Sequence, residues 1–134
     1  MIEYYKSLPD YMSVDELKML ISSFLSEVKT TNSDLVESLE SLLELADRQW
    51  HTYELLNEDL KTEVEEWLLS IIDFHSDEII EYLTLIVGRL GLSKLYATIK
   101  NSLTGNLKKE VRQKIEEIVD EIDGHVEDPY YGMR

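Results

Sequence analysis

Residues 60–72 read LKTEVEEWLLSII, and residues 107–119 read LKKEVRQKIEEIV; the two stretches align without a gap at an offset of 47 residues. Leu60, Lys61, Glu63 and Val64 recur as Leu107, Lys108, Glu110 and Val111, and aliphatic residues then pair at Leu68/Ile115, Ile71/Ile118 and Ile72/Val119. The apolar positions return every three or four residues, so each copy is an amphipathic helix with one stripe to bury. Between the copies lie two further helical stretches, 76–90 and 93–103. A helical unit that recurs with a period in the forties cannot bury its stripe alone, and stacking against its neighbours solves the problem. The predicted fold is therefore all-α: a short stack of antiparallel helix pairs, about six helices in a single domain over residues 1–134. An irregular helical bundle is the alternative, because any two amphipathic helices share apolar spacing.

Outward from the repeat, helix boundaries are legible as capping signals. Ser13 followed by Glu16 has the capping-box pattern, and Val14, Leu17, Leu20, Ile21, Phe24, Leu25 and Val28 then fall on one face. Asn32 or Ser33 is expected to cap the next helix, which buries Leu35, Leu39, Leu42, Leu43 and Ala46. Segment 48–56 is ambiguous between an extension of that helix and a separate turn. Asn57 opens the third helix and Ser76 the fourth, which is apolar almost all round and ends at Gly91. Ser93 caps a short fifth helix ending at Gly105, and the sixth runs from Asn106 to Asp123 with Gly124 as its stop. Residues 1–12 read as an N-terminal extension and 125–134 as an irregular tail. No segment alternates with the two-residue period of a strand.

The composition narrows the function classes. The chain has 28 acids, 13 Lys and Arg and a net charge of −15. Nucleic acid is disfavoured as a direct ligand, since phosphate binding needs clustered cations. A basic protein is favoured, with fast, salt-sensitive association. Residues 1–87 carry 20 acids against 5 bases, residues 88–114 carry 7 bases against Glu110 alone, and residues 115–134 return to a net −6. The longest apolar stretch, 79–92, is interrupted by Glu81 and Arg89, so no membrane segment is expected. The opening MIEYYK lacks a secretory pattern. The absence of cysteine removes thiolate chemistry and suits a reducing cytosol.

Catalytic patterns are missing. His51, His75 and His125 sit far apart, none at the one-turn spacing of a helical zinc pair. Neighbouring acids such as Glu65-Glu66 and Glu116-Glu117 diverge by about 100° around their helices. There is no glycine-rich phosphate loop and no nucleophile elbow. The reading is a non-enzyme without metal or cofactor. The aromatics carry more weight: eight tyrosines and two tryptophans, including Trp50, Tyr53 and the tail pair Tyr130-Tyr131. Such residues anchor protein interfaces because they join large apolar area to a polar tip.

Lys109-Glu110-Val111-Arg112 resembles the opening of the second helix in HEAT repeats, where an acid or amide precedes Val-Arg. The first copy departs from it, with Glu65 in the arginine's place. The resemblance implies that the second helices line a concave face. Helices 57–74 and 106–123 would then present Glu63, Glu66, Ser70 and Asp73 beside Glu110, Gln113, Glu117 and Asp120. That acidic groove would end near Asp123, Glu127, Asp128, Tyr130 and Tyr131, and these residues are the expected partner-binding set.

Small size, acidity, helical repeats and acidic-aromatic surface together resemble the immunity proteins of bacterial polymorphic toxin systems, including contact-dependent growth inhibition. The resemblance implies a cytoplasmic toxin inhibitor, monomeric or in a one-to-one complex. Its partner would be a cognate basic toxin domain, commonly a nuclease such as a tRNA-cleaving RNase, whose active or substrate-binding cleft it occludes. A helical-repeat adaptor or regulatory subunit of a housekeeping complex is the alternative.

Overall fold

Seven α-helices and one 3-10 turn make up residues 1–133, the part of the chain that the computed structural model describes. They are α1 (Ile2–Lys6), α2 (Val14–Thr30), α3 (Leu35–Trp50), α4 (Glu58–Ile71), α5 (Asp77–Leu90), α6 (Ser93–Asn101) and α7 (Lys109–Ile122), with the 3-10 turn Ser102–Thr104 before α7. Among the described residues there is no strand. The predicted all-α class holds, with one helix more than expected.

Most helix starts follow the side chains that can satisfy their free N–H groups. Ser13 Oγ accepts from the Glu16 N–H at 3.1 Å and donates to Glu16 Oε1 at 3.0 Å, so Ser13 caps α2 as expected, with the carboxylate meeting its hydroxyl and not its backbone N–H. Asn57 Oδ1 accepts from Asp59 and Leu60, and Ser76 Oγ from Ile79. At the start of α3 the cap is Asp34, which accepts from the Glu37 N–H at 2.9 Å; Asn32 and Ser33 lie outside the helix. The carboxylate also suits the positive helix end better than a neutral side chain. Helix α7 begins at Lys109 rather than Asn106, because Arg112 reaches back to the Leu103 and Gly105 carbonyls and holds that stretch as a turn.

The fifth predicted cap, Ser93, does not act as one. Helix α6 has Leu92 at its N-cap and no capping side chain of its own. Its Leu95 N–H instead donates to Glu65 Oε2 of α4 at 2.9 Å, and Glu65 is 7% exposed. A buried carboxylate thus caps a helix 30 residues away. Glu65→Ala is expected to cost about 1–3 kcal/mol by leaving that N–H dry, while Glu65→Gln, which keeps an acceptor oxygen, recovers much of it. Urea unfolding of the two variants checks this; equal losses would show that the oxygen is not what matters.

The helices form two layers. Helices α2, α4 and α6 lie side by side in one, α3, α5 and α7 in the other, and α1 packs on α3. Short connections make consecutive helices antiparallel, so each layer is parallel within itself. Contacts within the α3–α5–α7 layer agree with this direction: Asp47 of α3 meets Arg89 of α5, and seven residues earlier on both helices Glu40 lies near Tyr82. In chain order the helices group as three pairs, α2–α3, α4–α5 and α6–α7; α2 packs on α3 and α6 on α7, and α5 also meets α6. Neighbours in the α3–α5–α7 layer approach more closely than those opposite, so the stack is tightest on that side.

This arrangement corrects the sequence repeat. The aligned stretches 60–72 and 107–119 belong to α4 and α7, which lie in opposite layers. The recurrence that matches the architecture joins α2 to α4 at an offset of 43: Leu17/Leu60, Lys18/Lys61 and Leu25/Leu68 are identical, with Ile21/Val64 and Phe24/Trp67 alike. The offset of 47 reflects two similar stripes, not two equivalent places in the stack.

Residues 1–12 are no loose extension. Tyr5 is buried against Phe24, ring centroids 5.9 Å apart, and Phe24 in turn meets Trp67 edge-on at 5.6 Å. Burial, with Glu27 nearby, pushes the Tyr5 phenol up to about 12. The buried Arg48 guanidinium fastens the following turn, donating to the Leu8 carbonyl at 2.8 Å and the Pro9 carbonyl at 2.9 Å. The ambiguous segment 48–56 divides accordingly: α3 continues to Trp50, and a turn follows in which Tyr53 adopts a positive φ of 59°.

Candidate protein-docking face

The outer side of the α3–α5–α7 layer carries a groove between α5 and α7. Leu85 and Thr84 form one wall, Ile118 and Glu117 the other, and the enclosed space is about 180 Å³. Past Gly88, Arg89 and Glu121 it continues into a second cavity of about 210 Å³, closed by Trp50, Pro129 and Tyr131.

Gly88 is the floor where the two cavities join. It lies inside α5, where glycine costs about 1 kcal/mol relative to alanine. Nothing in the packing demands it: a Cβ there would meet only Ile118 Cδ1, at an ordinary 4.0 Å. Its φ is helical, in contrast to Gly91, whose φ of 69° disfavours a side chain and where a Cβ would lie only 3.0 Å from the Val126 carbonyl.

The charges along the groove are unevenly matched. Arg89 Nε donates to Asp47 Oδ1 at 2.8 Å, with its guanidinium 5.3 Å from the Trp50 ring centroid. Lys114 faces Glu81 at 3.6 Å. These half-exposed pairs each stabilise by about 0–1 kcal/mol, but they neutralise the local cations. Glu117 receives a 3.4 Å hydrogen bond from Gln113, and among the described residues no cation lies within ion-pair distance of Glu117 or Glu121. These two acids stand one turn apart on α7, a mutually repulsive spacing.

An aromatic corner ends the groove. Tyr130 is buried, with its hydroxyl donating to the Trp50 carbonyl at 2.9 Å, and Trp50 Nε1 donates to the Pro129 carbonyl at 3.1 Å. Burial raises the Tyr130 phenol above its ordinary value. Tyr53 stacks on Tyr130 at 5.3 Å while staying 66% exposed, and Tyr131 stacks on His125 at 3.8 Å while staying 63% exposed. A bulky residue in the left-handed region costs about 1–3 kcal/mol, so Tyr53 is held outward against its backbone preference.

The residues expected to bind a partner are divided by this geometry. Glu63, Glu66, Ser70 and Asp73 are exposed, but they sit on α4 and the turn after it, in the layer opposite α7. They share no groove with Glu117 and Asp120, because α4 is a first helix of its pair and α7 a second. Glu117 lines the groove, whereas Asp120 is exposed away from it. Glu110 and Gln113 border a neighbouring depression with Asp77, Lys114 and Glu117. Asp123 is a structural clasp: it accepts from Lys100 Nζ at 2.9 Å and the Tyr96 hydroxyl at 2.6 Å. Those bonds hold its carboxyl below the ordinary value, while burial and Asp123 push the Tyr96 phenol up. Glu127 is exposed, Asp128 borders the second cavity and accepts from the Tyr130 N–H, and Tyr130 is core rather than bait.

Leu85, Gly88, Arg89 and Glu121 were not anticipated as a site. Of these only Gly88 carries a readable signal, a glycine inside an otherwise strong helix. Among the described residues no three His, Asp or Glu side chains are placed to hold a metal ion, and no helix is long and apolar enough to cross a membrane. No family model, curated protein or solved structure matches the chain.

Proposed function

We propose that this protein binds and neutralises a basic protein toxin domain, in the manner of an immunity protein, by covering the toxin's active or substrate-binding cleft with the α3–α5–α7 face. The observation that carries the reading is the groove between α5 and α7, where carboxylates without cations adjoin exposed tyrosines held at its end. Aromatic anchors beside unmatched charge are what a protein interface uses, whereas catalysis would need confined acid–base pairs. A nuclease fits this surface best as target, since its nucleic-acid cleft is basic and a net charge of −15 competes for it. The protein acts without catalysis, cofactor or metal, in the cytoplasm where such a toxin would arrive.

The test is capture from the native host with tagged protein at low salt, release at high salt, and identification of the bound chain by mass. The expected result is one basic, nuclease-like domain whose cleavage activity is abolished by this protein. The double reversal Glu117→Lys/Glu121→Lys should weaken that complex about tenfold or more without lowering the urea midpoint. Recovery of several housekeeping subunits, with no nuclease, would replace the inhibitor by an adaptor. Truncation of the tail is a poor probe, since it would also uncover Trp50.

A further inference from the structure

We infer that the α5–α7 groove is a socket for a single arginine side chain projecting from a protein surface, with Gly88 as its floor and Glu117 and Glu121 as its carboxylate pair. The inference rests on the basic-partner reading and names the contact through which it would work.

Gly88 is the first observation. A residue that weakens its helix, and that no neighbour's approach requires, has the effect of leaving the space above it open. Any longer side chain would stand in the passage between the cavities of about 180 and 210 Å³. The lining is the second. Leu85 is 41% exposed and Ile118 forms the facing wall, so an aliphatic stem can lie between them while its charged head stays near the rim.

Charge complementarity decides the occupant. Both cations beside the groove, Arg89 and Lys114, are already paired with Asp47 and Glu81. Glu117 and Glu121 are left one turn apart, about 5–6 Å between β-carbons, and their repulsion is relieved by a cation between them. A guanidinium, with donors along a planar fork, can serve two carboxylates at once, and a lone ammonium matches that geometry less well. An anionic or purely apolar occupant would leave both acids unmatched.

The experiment uses the full chain labelled with nitrogen-15 and a short peptide of alternating glycine and arginine, titrated at low salt and followed by amide chemical shifts. The largest shifts are expected at Gly88 and along α7 from Glu117 to Glu121, and the same peptide with citrulline in place of arginine should cause none. Glu117→Gln/Glu121→Gln and Gly88→Met should each weaken binding about fivefold or more, while Glu63→Gln/Glu66→Gln on α4 changes it less than about twofold. Gly88→Met adds helix propensity, so a melting temperature at or above that of the parent shows that lost binding is not lost folding. Shifts centred elsewhere, or equal effects from the α4 and α7 variants, overturn the socket while leaving a basic partner in place. No binding of the arginine peptide at all would overturn both.

Discussion

Arg48→Leu is expected to destabilise the protein by about 2–4 kcal/mol, read as a lowered urea midpoint. Arg48 is 5% exposed, and its guanidinium makes four hydrogen bonds: to the Leu8 carbonyl, the Pro9 carbonyl, the Glu44 carbonyl and Glu44 Oε2. Leucine fills part of the same space but donates nothing. The turn joining α1 to α2 then loses both of its bonds to Arg48, and Glu44 loses its partner. Hydrogen exchange should rise in residues 1–12 before it rises in α3, because the tie is local. Arg48→Lys keeps the charge but not the fork, and should recover less than half of the loss. A destabilisation below about 1 kcal/mol would mean that water replaces these bonds and that α1 is held by Tyr5 and the tie from Ile2 to Glu37 instead.

Phe24→Ala has an expected cost of about 4 kcal/mol. Phe24 is fully buried and stands between Tyr5 and Trp67, meeting both edge-on, so its ring links α1, α2 and α4. Truncation removes the transferred area, leaves a cavity between three helices that cannot all close on it, and ends two aromatic contacts worth about 0.5–1.5 kcal/mol each. Against a typical domain stability of about 5–15 kcal/mol, the variant would sit near its unfolding threshold. Trp67 reports the change directly, with a red-shifted emission expected before global unfolding. A loss of under about 2 kcal/mol would show that the α2–α4 contact repacks freely, and the first pair would then be a softer unit than its burial indicates.

Much of the candidate site was hidden in the sequence for one reason. A charged residue on an exposed helical face has no visible neighbour until the helices are placed. Glu63 and Glu117 are interchangeable by pattern, yet one stands on each layer. Tyr130 and Tyr131 are adjacent and alike, but Tyr130 is buried under Trp50 and Tyr53 while Tyr131 faces outward. Glu65 read as a departure from a repeat pattern, and it is the cap of α6. Gly88 was the exception, since its cost to the helix is visible without any tertiary information.

The sequence by itself determined what is local: helical stripes, the caps at Ser13, Asn57 and Ser76, the left-handed stop at Gly91, and a charge that turns phosphate away. These follow from three- and four-residue spacing and from side chains satisfying the N–H groups of their own turn. Only the tertiary structure decided which helix each stripe meets. An apolar stripe specifies that a face is buried but not against what, so layer membership, the Arg48 and Glu65 ties and the α5–α7 groove arise from contacts across 30 residues or more.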